Sequence, residues 1–110
     1  MKIDYSWIKK ESLDKKQLKK YCDSEESIEL CWWLYTEVVD DGYIFQEVIK
    51  LLDNVQQGEN SLFRGDLMWI HINVEEVVLE NPRLDFEFKY NLNEFRENLS
   101  QWQREQKRAG

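Results

Sequence analysis

At 110 residues, 42% hydrophobic and 14% aromatic, the chain is long enough for a single domain (1–110) with its own core and too apolar for an intrinsically disordered segment. Its formal net charge of −7 argues against nucleic acid or an anionic membrane as partner. No run approaches the roughly 18 apolar residues of a membrane span, and Met1 to Tyr5 hold no apolar signal stretch, so the expected location is the cytoplasm.

Ser12 is the expected cap of a first helix over 13–22, with Leu18, Tyr21 and Cys22 on one face and Lys15, Lys16, Lys19 and Lys20 on the other. Cys22 and Cys31, nine residues apart in a reducing compartment, read as small core residues rather than a disulfide. A zinc site needs about four ligands, and only His71 is available to join them, so no metal or cofactor is expected. From Ile28 to Val39, the positions Ile28, Cys31, Trp32, Tyr35 and Val39 follow helical spacing. The same stretch is aromatic and β-branched enough to read as a buried strand; helix is preferred. After Asp40-Asp41-Gly42, Asp41 is the expected cap of a helix over 43–57 that turns Ile44, Val48, Leu51, Leu52 and Val55 inward, with Gly58 as terminator.

From Leu62 the pattern changes to strands. Leu67 to Ile72 and Glu76 to Glu80 read as a hairpin around Asn73-Val74-Glu75, and Leu84, Phe86 and Phe88 alternate with Asp85, Glu87 and Lys89. Asn91 followed by Glu94 resembles a capping box opening a final helix with the stripe Leu92, Phe95, Leu99 and Trp102; the polar stretch 103–110 is expected to fray. The fold class is α+β: a small antiparallel sheet of three or more strands, packed against helices on one face.

Charge is unevenly spread along these elements. Residues 22 to 80 hold 14 acids against only Lys50 and Arg64, a net −12. Residues 1 to 21 hold seven lysines and three acids, and residues 81 to 110 hold six bases and five acids. So acidic a centre attracts a basic partner. Catalytic signals are missing: His71 has no nucleophile placed beside it by a motif, the pairs Glu25/Glu26, Asp40/Asp41 and Glu75/Glu76 are adjacent rather than convergent, and the glycines form no phosphate loop. The chain is therefore not expected to be an enzyme. The consecutive Trp32 and Trp33 cannot both be fully buried with ease, and an exposed tryptophan inside an acidic segment has the composition of an interface anchor. The candidate contact surface is Glu25, Glu26, Glu29, Trp33, Glu37, Asp40, Asp41, Glu75 and Glu76. The lysine face reads as a solvated one.

Two stretches carry a resemblance. The opening Lys2-Ile3-Asp4-Tyr5-Ser6-Trp7 is similar to the start of certain nuclease-colicin immunity proteins. The segments Val48-Ile49-Lys50-Leu51-Leu52-Asp53-Asn54-Val55, Gly65-Asp66-Leu67-Met68-Trp69 and Glu75-Glu76-Val77-Val78-Leu79 resemble a family of small acidic enterobacterial proteins. As a small, acidic, tryptophan-rich chain it thus resembles the immunity proteins of contact-dependent growth inhibition and colicin systems. That resemblance implies a cytoplasmic protein that occludes a basic toxin domain, a nuclease above all. It carries over no neutralising residue. A regulatory or scaffold domain that binds a basic host protein stays open beside it, as does, further off, a small enzyme built on carboxylates.

Overall fold

Local capping signals set where the first elements begin. The computed structural model describes residues 1–10, 12–38, 42–55 and 58–109. Asp4 opens a 3₁₀ turn, Tyr5–Lys9, by accepting the Ser6 N–H at 3.0 Å. The lysine segment is also 3₁₀ rather than α and runs from Lys15 to Tyr21. Its cap is Asp14 and not Ser12, because Asp14 and Gln17 form a reciprocal capping box: the Gln17 N–H donates to Asp14 at 2.9 Å and the Asp14 N–H to Gln17 at 2.8 Å. Leu18 is fully buried, while Tyr21 and Cys22 are half-buried.

Helix α1 spans Glu25–Trp33 behind a second capping box, Ser24 with Ser27, and continues as a π turn, Leu34–Val38. From Ile28 to Val38 the stretch is thus helical, as preferred from its spacing, and Val39 lies outside the described residues. Helix α2 spans Gly42–Val55 and buries Phe45, Val48, Leu52 and Val55, with Ile44 and Leu51 packed at the edge. The expected cap, Asp41, and the expected last residue, Gln57, lie outside the described residues. Gly58 sits at φ +95°, which only glycine adopts without strain, and its N–H donates to the Val55 carbonyl at 2.9 Å.

Four strands follow among the described residues: β1 Ser61–Arg64, β2 Trp69–Ile72, β3 Glu76–Asn81 and β4 Phe86–Asn91, antiparallel in the order β1-β2-β3-β4. The turn after β2 is held by Asn73, whose Oδ1 accepts the N–H groups of Glu75 and Glu76, each at 2.9 Å. Asn81 does the same for Arg83 and Leu84 at 3.0 Å. This leaves Leu84 exposed in the turn, so the third predicted strand begins two residues later, at Phe86. Helix α3, Leu92–Ala109, starts where Asn91 Oδ1 accepts the N–H groups of Asn93 and Glu94 at 2.9 and 3.2 Å. The Glu94 carboxylate pairs with the Met1 ammonium at 2.7 Å. The stripe Leu92, Phe95, Leu99 and Trp102 is buried, and the helix holds through the expected frayed segment to Ala109.

Strand register assigns the two faces of the sheet. Ser61, Ile72, Val77 and Tyr90 lie in one row across it, and Phe63, Ile70, Leu79 and Phe88 in the next. This face meets the helices, with α2 packing on β1 and β2, α3 on β3 and β4, and α1 on β4. The outer rows hold Leu62, His71, Val78 and Lys89, and Arg64, Trp69, Glu80 and Glu87. No helix among the described residues is long and apolar enough to cross a membrane.

Candidate functional site: an acidic aromatic groove

Which tryptophan reaches the surface follows from helical phase. Ser27, Leu30, Cys31, Leu34 and Val38 recur at three- and four-residue intervals and are all buried, so they define the inward stripe. Trp33 falls nearer the centre of that stripe than Trp32. It is fully buried, its ring 6.2 Å from that of Phe95. The choice of Trp33 as a surface anchor is therefore corrected: Trp32 is the half-buried tryptophan.

Trp32 stacks on Tyr35, three residues later, at 6.0 Å and an interplanar angle of 23°. Tyr35 is fixed in turn, since its hydroxyl accepts the Leu13 N–H at 2.9 Å. The exposed side of Trp32 borders a groove of about 330 Å³ lined also by Thr36, Ile44, Leu67, Glu37 and Asp66. Three elements supply it: the end of α1 with its π turn, the start of α2, and the loop between β1 and β2. Ile44 and Leu67 extend the apolar floor, and Tyr43, 66% exposed, stands next to Ile44 at the beginning of α2.

One rim of the groove is built by Glu37. Its carboxylate turns toward the β1–β2 loop and accepts the Asp66 N–H at 2.6 Å. Gly65 permits this approach, because a Cβ there would lie 2.8 Å from Glu37 Cδ and 3.0 Å from the Met68 carbonyl oxygen. Burial holds the Glu37 carboxyl above its ordinary range, against the lowering effect of the backbone N–H groups of Asp66, Leu67 and Met68. Glu37 thus organises the loop that presents Asp66 to solvent, and its Oε2 is buried with no partner. An indole face beside aliphatic side chains and carboxylates suits a lysine or arginine side chain, with the stem on the floor and the cation at the rim.

The other predicted contact residues divide. Glu25 and Glu26 are exposed in the first turn of α1. The Tyr90 hydroxyl donates to the Glu26 carbonyl, and Asn91, the next residue, pairs with Glu76. Glu25, Glu26, Glu75 and Glu76 are thereby brought to the same end of the molecule, beside a pocket of about 270 Å³ lined in part by Asp23, Glu26, Lys89 and Glu94. Glu29 is not a surface group. It is 5% exposed and paired with Lys15, which also lies 5.2 Å above the Phe86 ring. A buried carboxylate needs such a partner, and this pairing removes Lys15 from the solvated lysine face. Asp40 and Asp41 lie outside the described residues.

His71 is on the open face of the sheet, opposite in direction to Ile70 and Ile72 as expected, and its Nε2 is 2.8 Å from Glu80 Oε1. On the same face Arg64 sits 5.1 Å above the Trp69 ring. No cluster of three or more metal-ligating side chains occurs among the described residues. Sequence reasoning missed Asp66, Leu67 and Ile44 as groove residues, which only the fold brings beside Trp32. Comparison with protein-family models, with characterised proteins and with solved structures returned no match.

Proposed function

We propose that this chain is an immunity protein that binds a basic toxin domain, a nuclease above all, and occludes its substrate-binding surface. The observation that carries this reading is the Trp32 groove: a half-buried indole with an apolar floor and the exposed Asp66 carboxylate at its rim, inside a segment of net charge −12. A nuclease must present cationic side chains to hold phosphate, so a carboxylate-bearing surface can cover that site as a polyanion mimic. Rim charge accelerates the encounter, and a seated aromatic slows dissociation. The carboxylates at the far end, Glu25, Glu26, Glu75 and Glu76, add to the field that steers the partner.

The test is a binding and inhibition assay with a basic nuclease toxin domain, sought first among reading frames that neighbour the gene for this chain. The protein should abolish the toxin's activity at equimolar amounts, Trp32→Ala should release it, and Asp66→Lys should slow association while flattening its salt dependence. Duplex DNA and RNA should bind the protein only weakly at moderate salt. Tight RNA binding that disappears when Lys16, Lys19 and Lys20 are replaced by alanine would overturn the proposal.

A further inference from the structure

The two cysteines form a site that the proposed function does not use. Cys22 closes the lysine segment in an extended conformation, bridged to Ile3, and Cys31 lies in the second turn of α1. Their sulfur atoms are 3.5 Å apart and joined by a thiol hydrogen bond. They differ in access: Cys31 is fully buried and Cys22 half-buried. The Cys31 thiol, seconded by the Ser27 hydroxyl, holds the Cys22 thiol below its ordinary range against the effect of burial. Its hydrogen bond with Cys22, together with burial, pushes the Cys31 thiol up. A less buried sulfur whose thiolate form is favoured, 3.5 Å from a fully buried one, is the arrangement of an attacking and a resolving thiol.

We infer that Cys22 and Cys31 form an oxidisable dithiol site whose substrate class is a small hydroperoxide. In the first step the Cys22 thiolate attacks the distal peroxide oxygen. The O–O bond breaks, Cys22 becomes the sulfenic acid, and the leaving alkoxide or hydroxide takes a proton from water. In the second, Cys31 sulfur attacks Cys22 sulfur, the S–O bond breaks, and the Cys31 proton leaves with the hydroxyl group as water. Two thiols and one hydroperoxide thus give one disulfide, one alcohol or water, and one further water. A sulfur–sulfur bond is about 2.05 Å long, so closure requires the two atoms to approach by roughly 1.5 Å. Cys22 can supply that movement, because it lies in extended backbone between the lysine segment and the Ser24 cap rather than inside a helix. A small dithiol reductant reverses the reaction by exchange at Cys22, the less buried of the two.

The experiment treats the reduced protein with one equivalent of hydrogen peroxide and follows intact mass and peptide maps. The expected product is monomeric, lighter by two hydrogens, with a peptide linking Cys22 to Cys31, and dithiothreitol restores the starting mass. With dimedone present, Cys31→Ala should accumulate at least about tenfold more Cys22 adduct than the wild type, because its sulfenic acid has nothing to resolve it. Cys22→Ser should leave Cys31 unmodified under native conditions. The wild type needs no substitution to fold, so its outcome is decisive. A persistent Cys22 sulfenic acid or dimedone adduct in the wild type, matching that of Cys31→Ala, would overturn the assignment. So would a disulfide found only between chains.

Discussion

Trp32 and Trp33 are adjacent in sequence yet should respond to the same truncation in opposite ways. Trp33 is fully buried and meets Phe95 ring to ring, and its indole N–H has no acceptor, so Trp33→Ala forfeits packing and no hydrogen bond. Removing so large a side chain from a core costs about 3 to 5 kcal/mol, a large share of the roughly 5 to 15 kcal/mol by which a domain is stable. At about 4 °C or more per kcal/mol for a domain of this size, the melting temperature should fall by at least about 12 °C. Trp33→Phe keeps an aromatic ring against Phe95 and removes the orphaned N–H, so its cost should be clearly smaller. Trp32→Ala loses the stack on Tyr35, about 0.5 to 1.5 kcal/mol, plus part of a half-exposed surface, for a total near 1 to 2 kcal/mol. If the groove seats a cationic partner, the same change should weaken binding by about 2 kcal/mol, close to thirtyfold, through faster dissociation. Thermal and urea unfolding give the first quantity and surface plasmon resonance the second. A Trp33→Ala protein that melts with the wild type, or a Trp32→Ala protein that does not fold, would refute the assignment of the two indoles.

Four further substitutions probe how the groove and its surroundings are held. Gly65→Ala should cost about 1.5 to 3 kcal/mol in urea unfolding, because the new methyl displaces the Glu37 carboxylate from the Asp66 N–H; unchanged stability would mean that the contact is dispensable. Burial raises the Glu37 carboxyl above 4.5, so the folded state holds that proton more tightly than the unfolded one. Its contribution is full below 4.5 and lost as pH rises through the folded value. Glu37→Gln should therefore gain stability relative to the wild type between about pH 4 and pH 7, and a difference that is flat or falls over that window would contradict the burial argument. Lys15→Met leaves Glu29 buried without its partner and should cost about 2 kcal/mol by thermal denaturation, allowing for the partial exposure of Lys15; adding Glu29→Leu should restore most of the loss, and a double variant no better than the single would count against a compensated pair.

Strong local signals in the sequence correspond to real elements. The stripe Leu92, Phe95, Leu99 and Trp102, the Gly58 stop and the turn at Asn73 each need only neighbouring residues to be read, and each is found. The misreadings arise where two local signals compete or a partner is distant. Ser12 and Asp14 are both capping residues, and Gln17 decides for Asp14 by closing the reciprocal box. Residues 103 to 109 are polar enough to fray, yet Trp102 anchors the preceding turn in the core and the helix holds to Ala109. Glu29 is acidic and near Glu25 and Glu26 in sequence, but its partner Lys15 lies on a different element. The same division applies to recognition. A long-range field depends on net charge more than on where each carboxylate points, so the attraction of residues 22–80 for a cation is readable from composition even though Glu29 and Glu37 are engaged internally. Residence on a cationic partner would depend instead on which side chain meets it at the surface. That hangs on a helical phase set by the Ser24 cap and on Ile44 and Leu67, brought in from other elements. If the proposed interface holds, the determinants of its association rate are therefore written in the sequence, whereas those of its dissociation rate emerge only once the fold exposes Trp32 and hides Trp33.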